Sequence, residues 1–287
     1  MQVHDGFPSA RTAAVRARVR ALLWFDVPPK TPSVPRVTRL FERRATLRRS
    51  IGLLGSFRFE QTAPDKFYGG LAHDTVDLVG DLYTGLTGNS LAGTTVVDVG
   101  GGPGYFADAF AEVGSRYVPI EPDPSEMHAA GLQVGGAIRG SGLALPLRTG
   151  SVDVCLSSNV AEHVAQPWVM ADEMLRVTRP GGLMVLSYTL WWGPFGGHET
   201  GPWHAFGGEY AARRYARKHG KEPKNRYGVS LFEVGCTDGL AWARSTPGGE
   251  LLAAFPRYHP QWAWLLVRVP WVREFLVSNL VLVLRRR

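Results

Sequence analysis

The apolar and polar positions of this chain follow a repeating order from about residue 96 onward. Short apolar runs, typical of strands buried on both faces, alternate with stretches whose apolar residues recur every three or four positions, as on helices. Because parallel strands need crossover connections, this alternation predicts an α/β fold with helices on both faces of a mostly parallel sheet. The predicted strands are residues 96–99, 117–121, 152–157, 183–188, 251–258 and 279–284. The predicted helices are residues 105–113, 125–130, 168–177, 208–219 and 238–244.

The first fifty residues differ from the rest in charge. They hold eleven Lys and Arg against three Asp and Glu, a net charge of +8, so the remainder of the chain sums to −1 within the total of +7. A proline cluster between residues 28 and 35 breaks any long element there. We therefore expect residues 1–37 to be a flexible, basic arm outside the fold. The alternative is that the arm is attracted to an anionic membrane or nucleic-acid surface.

Composition excludes several classes of protein. No apolar run approaches the length of about 18 residues that a membrane-spanning helix needs, and the N-terminus has no apolar centre typical of a secretory signal. Cys155 and Cys236 are the only cysteines, so a disulfide framework and a cysteine metal cluster are excluded. These features favour a cytoplasmic location, where thiols stay reduced.

A glycine-rich turn follows the first predicted strand. Gly100, Gly102 and Gly104 alternate after Asp98, which lies two residues before the first of them. Glycines allow a tight turn and a close approach to a flat ligand, whereas the carboxylate suits a cationic ligand group. Pyrophosphate binding by a dinucleotide fold needs no acid at this position. Residues 102–107 also fit the looser G-x-G-x-x-A fingerprint, so a nicotinamide-dependent oxidoreductase stays open as an alternative.

A second acid ends the second predicted strand. Glu121 lies 23 residues after Asp98, where a carboxylate can accept hydrogen bonds from both hydroxyls of a ribose. Pro122 follows, and its flat ring suits contact with adenine. An acid at this position is compatible with a nicotinamide-dependent oxidoreductase and with other enzymes that bind a nucleoside, so it does not decide between them.

The pattern Asp98-x-Gly100-x-Gly102-x-Gly104 resembles motif I of the class I S-adenosylmethionine-dependent methyltransferases. Residues 139–146, 150–154, 157–164 and 173–182 then follow in the order typical of the branch that includes ubiquinone- and menaquinone-biosynthesis enzymes. The resemblance covers about residues 65–190. It implies S-adenosylmethionine as cofactor and a Rossmann-like doubly wound sheet, mostly parallel with an antiparallel last strand. A dehydrogenase would have no reason to carry this order.

The resemblance also implies roles for individual residues. The glycine turn lies under the methionine part of the cofactor, Asp98 stands near its amino group, and residues 140–143 contact adenine. Where the family usually has an acid in that loop, this chain has Ser141, whose hydroxyl can still accept a hydrogen bond. Residues 159–163 border the sulfonium and the substrate. The predicted cofactor-binding residues are Asp98, Gly100, Gly101, Gly102, Gly104, Glu121, Pro122, Ser141, Gly142, Leu143 and Asn159.

The methyl acceptor is expected on the same edge of the sheet. His163 is the candidate general base, because it follows the predicted strand 152–157 at the edge where open α/β sheets bind ligands. The aromatic-rich insertion after the next strand suits an acceptor pocket or lid. Its substrate-side candidates are Trp191, Trp192, His198, Glu199 and His204. No metal is predicted, since His198, Glu199 and His204 lack a helical i, i+4 histidine pair.

We predict that the chain consists of a basic arm, residues 1–37, and a methyltransferase domain, residues 38–287. Within the domain we predict a helical cover (38–90), a cofactor-binding core (91–188), a substrate-side insertion (189–249) and the final strands with an intervening helix (250–287). In that helix, Trp262, Leu265, Leu266 and Val269 share one face, which predicts core packing. The alternative for this segment is peripheral contact with a membrane.

The predicted reaction is methyl transfer to an oxygen, less readily to a nitrogen or carbon, of a small-molecule, glycan or lipid acceptor. Two other classes stay open: a nicotinamide-dependent oxidoreductase, and a non-enzymatic cofactor- or nucleic-acid-binding module. The second rests on the basic arm alone, and no Asn/Asp-Pro-Pro-Tyr-type motif of base methylation follows the fourth strand. Nucleic acid is therefore not an expected partner, and the sequence leaves the oligomeric state open.

Overall fold

A computed structural model describes residues 37–56, 64–127 and 135–287 of the chain. The predicted basic arm lies outside these residues except for Val37. No helix in the described ranges is long and apolar enough to cross a membrane.

Seven strands form one mixed sheet in the order β3-β2-β1-β4-β5-β7-β6. Only β7 runs antiparallel to its neighbours, β5 and β6, so the predicted sheet with an antiparallel last strand is confirmed. The strands are β1 Thr95–Val99, β2 Arg116–Glu121, β3 Ile138–Arg139, β4 Val152–Ser158, β5 Thr178–Thr189, β6 Gly249–Pro256 and β7 Asn279–Arg286.

Helices cover both faces of this sheet. The α-helices are α1 Arg39–Arg44, α2 Leu47–Ser56, α3 Pro64–Thr87, α4 Ala107–Glu112, α5 Pro124–Met127, α6 Pro167–Val177, α7 Gly208–His219, α8 Cys236–Ser245 and α9 Val272–Leu276. Short 3₁₀ helices occupy Ala161–His163, His198–Thr200, Trp203–Phe206 and Gln261–Arg268. Three helices, α1 to α3, lie within the predicted helical cover, and α7 has the predicted bounds.

The core is divided into two apolar clusters by the sheet. Val97 of β1 packs with Met174 of α6 in one cluster, while its neighbour Val96 packs with Leu82 of α3 and Phe110 of α4 in the other. Successive residues of a strand point to opposite faces, so each run of buried β residues supplies both clusters at once. This explains why the strands read as continuous apolar runs.

Two elements differ from the sequence-based prediction. The two-residue strand β3 was not predicted, because it is too short to show a pattern. The fifth strand begins at Thr178 rather than at residue 183, and its pairing with β4 has a register irregularity between Val152 and Val154. The proline and glycines at 180–182 therefore lie within an irregular strand. Of the predicted helix 125–130, the described part ends at Met127.

The prediction that Trp262, Leu265 and Val269 pack in the core is wrong, because these side chains are 70, 61 and 45% exposed. Leu266 does pack against the core, and Trp264 stacks on Phe255 with ring centroids 4.2 Å apart. The segment is a 3₁₀ helix, which has three residues per turn. A face drawn with the α-helical period of 3.6 therefore rotates away from the side that is buried.

Candidate functional site

The glycine turn after β1 depends on backbone conformations that favour glycine. Gly100, Gly102 and Gly104 have φ angles of 78°, 54° and 86°, a region that residues with a Cβ seldom adopt. Gly100 also lacks space for a side chain, because an added Cβ would lie 2.5 Å from Cγ2 of Val160. The turn thus brings the end of β1 close to the loop that follows β4.

Asp98 is buried at the end of β1. The residue is only 2% exposed, and the Tyr117 hydroxyl donates a hydrogen bond of 2.6 Å to its Oδ2. Burial raises the pKa of Asp98 to about 7, although the bond from Tyr117 and the charge of Arg257 act in the opposite direction. The carboxyl group therefore changes its charge near neutral pH. Tyr117, which the sequence analysis missed, sets much of this environment.

Glu121 is bound to the same turn. The backbone N–H of Gly102 lies 3.3 Å from its Oε2, and the N–H of Asp123 donates to Oε1 at 3.2 Å. Burial raises the pKa of Glu121, and these two bonds partly offset that effect. The structure therefore places the two predicted acids on either side of the glycine turn, at the carboxyl ends of β1 and β2.

The predicted adenine loop follows β3, which pairs with β2 beside Glu121. Gly142 lies against the end of β1, since an added Cβ would lie 3.0 Å from both Met170 Cγ and Val99 Cγ1. Ser141 and Leu143 are exposed, and the Leu143 N–H donates to the Ser141 hydroxyl at 3.2 Å. The loop thus has an internal hydrogen bond, and its residues Ser141 and Leu143 lie at the surface. Pro122, after β2, is exposed as well.

Asn159 is hydrogen-bonded to residues of the antiparallel side of the sheet, at β7 and just after β6. Its φ angle is 57°, its Oδ1 accepts a 2.6 Å hydrogen bond from Asn279, and its amide donates to the Tyr258 hydroxyl at 3.3 Å. The residue thus holds the loop after β4 in a fixed conformation. Its predicted contact with the cofactor stays a prediction.

A buried arginine lies behind this loop. Arg257 is fully buried, and its guanidinium donates to the hydroxyls of Ser158 and Thr75, each at 2.6 Å. The Asp74 carboxylate lies 4.0 Å away and is bonded in turn by Arg49. This network joins β6, the end of β4 and helix α3. The sequence gives no sign of it, because one arginine just after a strand carries no pattern.

A pair of stacked tyrosines lies beside the turn. Tyr105 follows the last glycine of the turn, and its ring stacks on that of Tyr68 of α3 with centroids 4.2 Å apart and planes 2° apart. The helix therefore contributes an aromatic contact next to the residues predicted to hold the cofactor. Tyr68 was not among the predicted site residues.

Two of the acceptor-side candidates, His163 and His198, lie together at the 3₁₀ helix after β4. His163 Nδ1 donates a hydrogen bond of 2.7 Å to the carbonyl oxygen of Ser230, because a carbonyl can only accept. This bond fixes the tautomer and leaves Nε2 with a lone pair. The ring of His198 is 5.0 Å from that of His163, and burial lowers the pKa of His198. Glu162, 1% exposed, accepts a bond of 3.1 Å from the Thr189 N–H.

The remaining candidates of the insertion have different environments. Trp191 is buried, with its ring edge against His204 at 5.2 Å between centroids. Trp192 is 38% exposed and donates to Glu233 at 3.1 Å. Both carboxylate oxygens of Glu199 accept bonds from Asn225, at 2.7 and 2.8 Å. The structure therefore brings His163 and His198 together and ties Glu199 to the insertion itself.

The fold and the site together define a class I methyltransferase arrangement, with a carboxylate-led glycine turn and a second acid at the edge of a seven-stranded mixed sheet. Residues 97–186 match the family model of a methyltransferase domain. An uncharacterized methyltransferase of Mycolicibacterium gilvum is 66% identical over 252 residues, which cover 86% of this chain and 98% of the relative. One of Mycobacteroides abscessus is 63% identical over 261 residues, covering 88% of this chain and 100% of the relative.

The chain belongs to this family of methyltransferases. Among solved structures, the complex between the Haloferax volcanii Trm112 methyltransferase activator and a putative methyltransferase superposes with a TM-score of 0.50. That match has 15% identity and covers 80% of this chain and 96% of the other, so it shows the shared fold alone. The comparisons give no support to the oxidoreductase or to the non-enzymatic binding module.

Proposed function

We propose that the glycine turn, Asp98, Glu121 and the loop 141–143 form the S-adenosylmethionine site. Asp98 would pair with the amino group of the methionine part, and Glu121 would accept hydrogen bonds from the ribose hydroxyls. The support is that both acids lie against the turn in which Gly100, Gly102 and Gly104 all have positive φ. The bond from Gly102 to Glu121 also shows that the second carboxylate reaches the turn without rearrangement.

Alanine at Asp98 or at Glu121 is expected to weaken binding of S-adenosylhomocysteine at least about tenfold each, or about 1.4 kcal/mol, because each variant removes a charged partner of the cofactor. Isothermal titration calorimetry measures both affinities directly. Asp98→Asn is the matched control for folding, since it keeps an acceptor for the Tyr117 hydroxyl. Unchanged affinity in both alanine variants would overturn this assignment.

The same titration has an expected dependence on pH. Since burial raises the pKa of Asp98 to about 7, the carboxyl group is mostly neutral below that value and charged above it. Only the charged form attracts an ammonium group, so affinity should increase as the pH rises through 7. Asp98→Asn should flatten this increase; an equally steep profile in the variant would assign the pH dependence to another group.

The acceptor is proposed to be an oxygen of a small-molecule, glycan or lipid-linked compound, bound between His163 and the insertion after β5. One observation carries this proposal: the bond from His163 Nδ1 to Ser230 leaves Nε2 able to take a proton from a hydroxyl. The methyl group of a sulfonium is already activated, so the protein mainly has to align donor and acceptor and exclude water. Nitrogen and carbon acceptors are less favoured.

Mass spectrometry tests the acceptor class. Extracts of a strain lacking this gene should contain metabolites, glycans or lipids lighter by one methylene than those of the parent strain. Purified protein with labelled S-adenosylmethionine should then transfer the label to the accumulated compound, and the product's fragmentation should place it on oxygen. A label found on nitrogen or carbon would contradict the proposed acceptor atom, while leaving the methyltransferase class untouched.

Peripheral contact with an anionic membrane is proposed for the segment that carries Gln261–Arg268 and α9. Within fifteen residues it exposes six large apolar side chains around the exposed Arg268, and tryptophan and arginine favour the membrane interface. The two helices also pack against each other. The exposed apolar side chains are Trp262, Leu265, Val269, Trp271, Phe275 and Leu276.

The double variant Trp262→Ser, Leu265→Ser is expected to lose most of the full chain's co-sedimentation with vesicles that contain phosphatidylglycerol. The reason is that each exposed apolar side chain adds favourable burial in the interface. Ile51→Ser, which changes a side chain 64% exposed on α2, is the matched control and should bind as the parent does. Equal binding by the double variant and the parent would rule out this surface as the contact.

A further inference from the structure

Three side chains with metal-binding atoms converge at the acceptor side of the site. Glu162, His163 and His198 each offer one ligand atom, and these atoms all lie within 4.8 Å of one another. Two come from the 3₁₀ helix after β4 and one from the insertion after β5, so the cluster is formed only by the fold. The sequence predicts no metal here, because His198 and its near neighbours in the chain lack the spacing of a zinc motif.

The cluster contains buried polar atoms without partners in the described part of the chain. Oε2 of Glu162, in a residue 1% exposed, has no hydrogen bond, and neither has Nε2 of His198. Leaving such buried groups unsatisfied is costly, so each one calls for an explanation. His198 also has a φ angle of 46°, a strained backbone conformation of the kind that persists where surrounding structure enforces it.

The third member is already oriented as a ligand. His163 donates from Nδ1 to the Ser230 carbonyl, which leaves the Nε2 lone pair free, the arrangement in which backbone carbonyls fix metal-bound histidines. Glu162 is fixed in a similar way, since its other oxygen accepts from the Thr189 N–H. Both residues therefore have one atom held by the backbone and one atom left over.

We propose that Glu162, His163 and His198 bind one divalent transition-metal ion, with zinc as the probe of choice. Two imidazoles and one carboxylate suit zinc, manganese or iron better than magnesium or calcium, which prefer oxygen ligands. Ligand atoms around one tetrahedral zinc ion lie about 3.4 Å apart, because each bond measures about 2.0–2.2 Å. The three candidate ligand atoms lie within 4.8 Å of one another, so no pair has to close by more than about 1.4 Å. Three protein ligands leave an open position for a further ligand.

The role of the ion rests on the proposed acceptor chemistry. An acceptor hydroxyl in the open position would lose its proton to water more easily, because a bound cation stabilises the oxyanion. The oxygen would then form a bond to the methyl carbon while the carbon–sulfur bond breaks, with its electron pair staying on S-adenosylhomocysteine. In the metal-loaded protein His163 is a ligand, and the ion takes over the activation otherwise assigned to its imidazole.

Metal binding by the full chain tests the site without any need for the acceptor. After chelation and dialysis, calorimetric titration with zinc should show one equivalent per chain, and mass spectrometric metal analysis of the reloaded protein should agree. Glu162→Gln and His198→Gln should each weaken zinc binding at least about tenfold, since each removes one of three ligands. His73→Ala, which removes a histidine on the surface of α3, is the matched control and should keep the stoichiometry and affinity of the parent.

Two further measurements separate the possible failures. The melting temperature of each variant shows whether it is folded. Addition of zinc should raise the melting temperature of the parent more than it raises the melting temperature of Glu162→Gln or His198→Gln. Affinity for S-adenosylhomocysteine should stay within about twofold in His198→Gln, since His198 lies in the insertion on the acceptor side and not among the proposed cofactor residues. Zinc binding unchanged in the folded variants, or no stoichiometric binding by the parent, would overturn the metal site. Transfer by metal-free protein would then keep His163 as the base and leave the proposed function standing.

Discussion

Gly100→Ala is expected to abolish measurable binding of S-adenosylmethionine and to lower the free energy of unfolding by about 3 kcal/mol. Two effects add at this position. A φ angle of 78° is strained for any residue with a Cβ, at a cost of about 1–3 kcal/mol. The new Cβ would also lie 2.5 and 2.6 Å from the two methyl carbons of Val160, and overpacking of this kind costs about 1–3 kcal/mol more.

The clash would displace the glycine turn on the cofactor side and the loop after β4 on the acceptor side. Val160 lies in that loop, between Asn159 and the 3₁₀ helix that carries His163. Urea denaturation and calorimetry with S-adenosylhomocysteine measure the two losses. Gly88→Ala is a matched control, since Gly88 has the same φ of 78° and no atom within 4 Å of an added Cβ. It should lose only the strain part of the stability and none of the affinity. Equal losses in the two variants would show that contact with Val160 contributes nothing.

The sequence was sufficient to predict the fold, because the signals that decide it are local and repeated. Buried strands, amphipathic helices and the glycine turn each show in a few adjacent residues, and their alternation leaves only a few possible topologies. The position of Glu121 beside the turn followed from the same logic, since parallel strands end at one edge of the sheet. In the structure the Gly102 N–H lies 3.3 Å from Oε2 of Glu121, and the contact of Glu121 with a ribose stays a prediction.

Other parts of the site depend on contacts between residues far apart in the chain, and no local pattern reports them. The Tyr117 hydroxyl donates a hydrogen bond to Asp98 on the neighbouring strand. The Arg257 guanidinium donates to the hydroxyl of Thr75, which lies 182 residues away in the chain. The cluster of Glu162 with His198 likewise needs the insertion to fold back over the loop after β4. The exposed face around Trp262 was mispredicted for a different reason, since the period of a 3₁₀ helix cannot be told from sequence over eight residues.

Arg257→Met is expected to destabilise the protein by about 3 kcal/mol or more. The guanidinium is fully buried and bonds Ser158 and Thr75, so the variant leaves buried hydroxyls with fewer partners and removes a cation near the Asp74 carboxylate. Breaking a buried charge network by removing one partner costs about 3–5 kcal/mol, because the remaining groups stay out of water. Urea denaturation followed by tryptophan fluorescence measures the loss.

The same substitution at the surface gives the matched control. Arg44 bonds Asp77 and Asp81 at 2.9 and 2.8 Å but is half exposed, so Arg44→Met should cost less than about 1 kcal/mol. A second readout is specific to the site: the charge of Arg257 lowers the pKa of Asp98, so its removal should move the pH dependence of cofactor binding to higher pH. Arg44→Met should leave that profile unchanged. If both variants lost the same small stability and kept the same profile, the buried arginine would have no part in holding the strand ends or in setting the charge of Asp98.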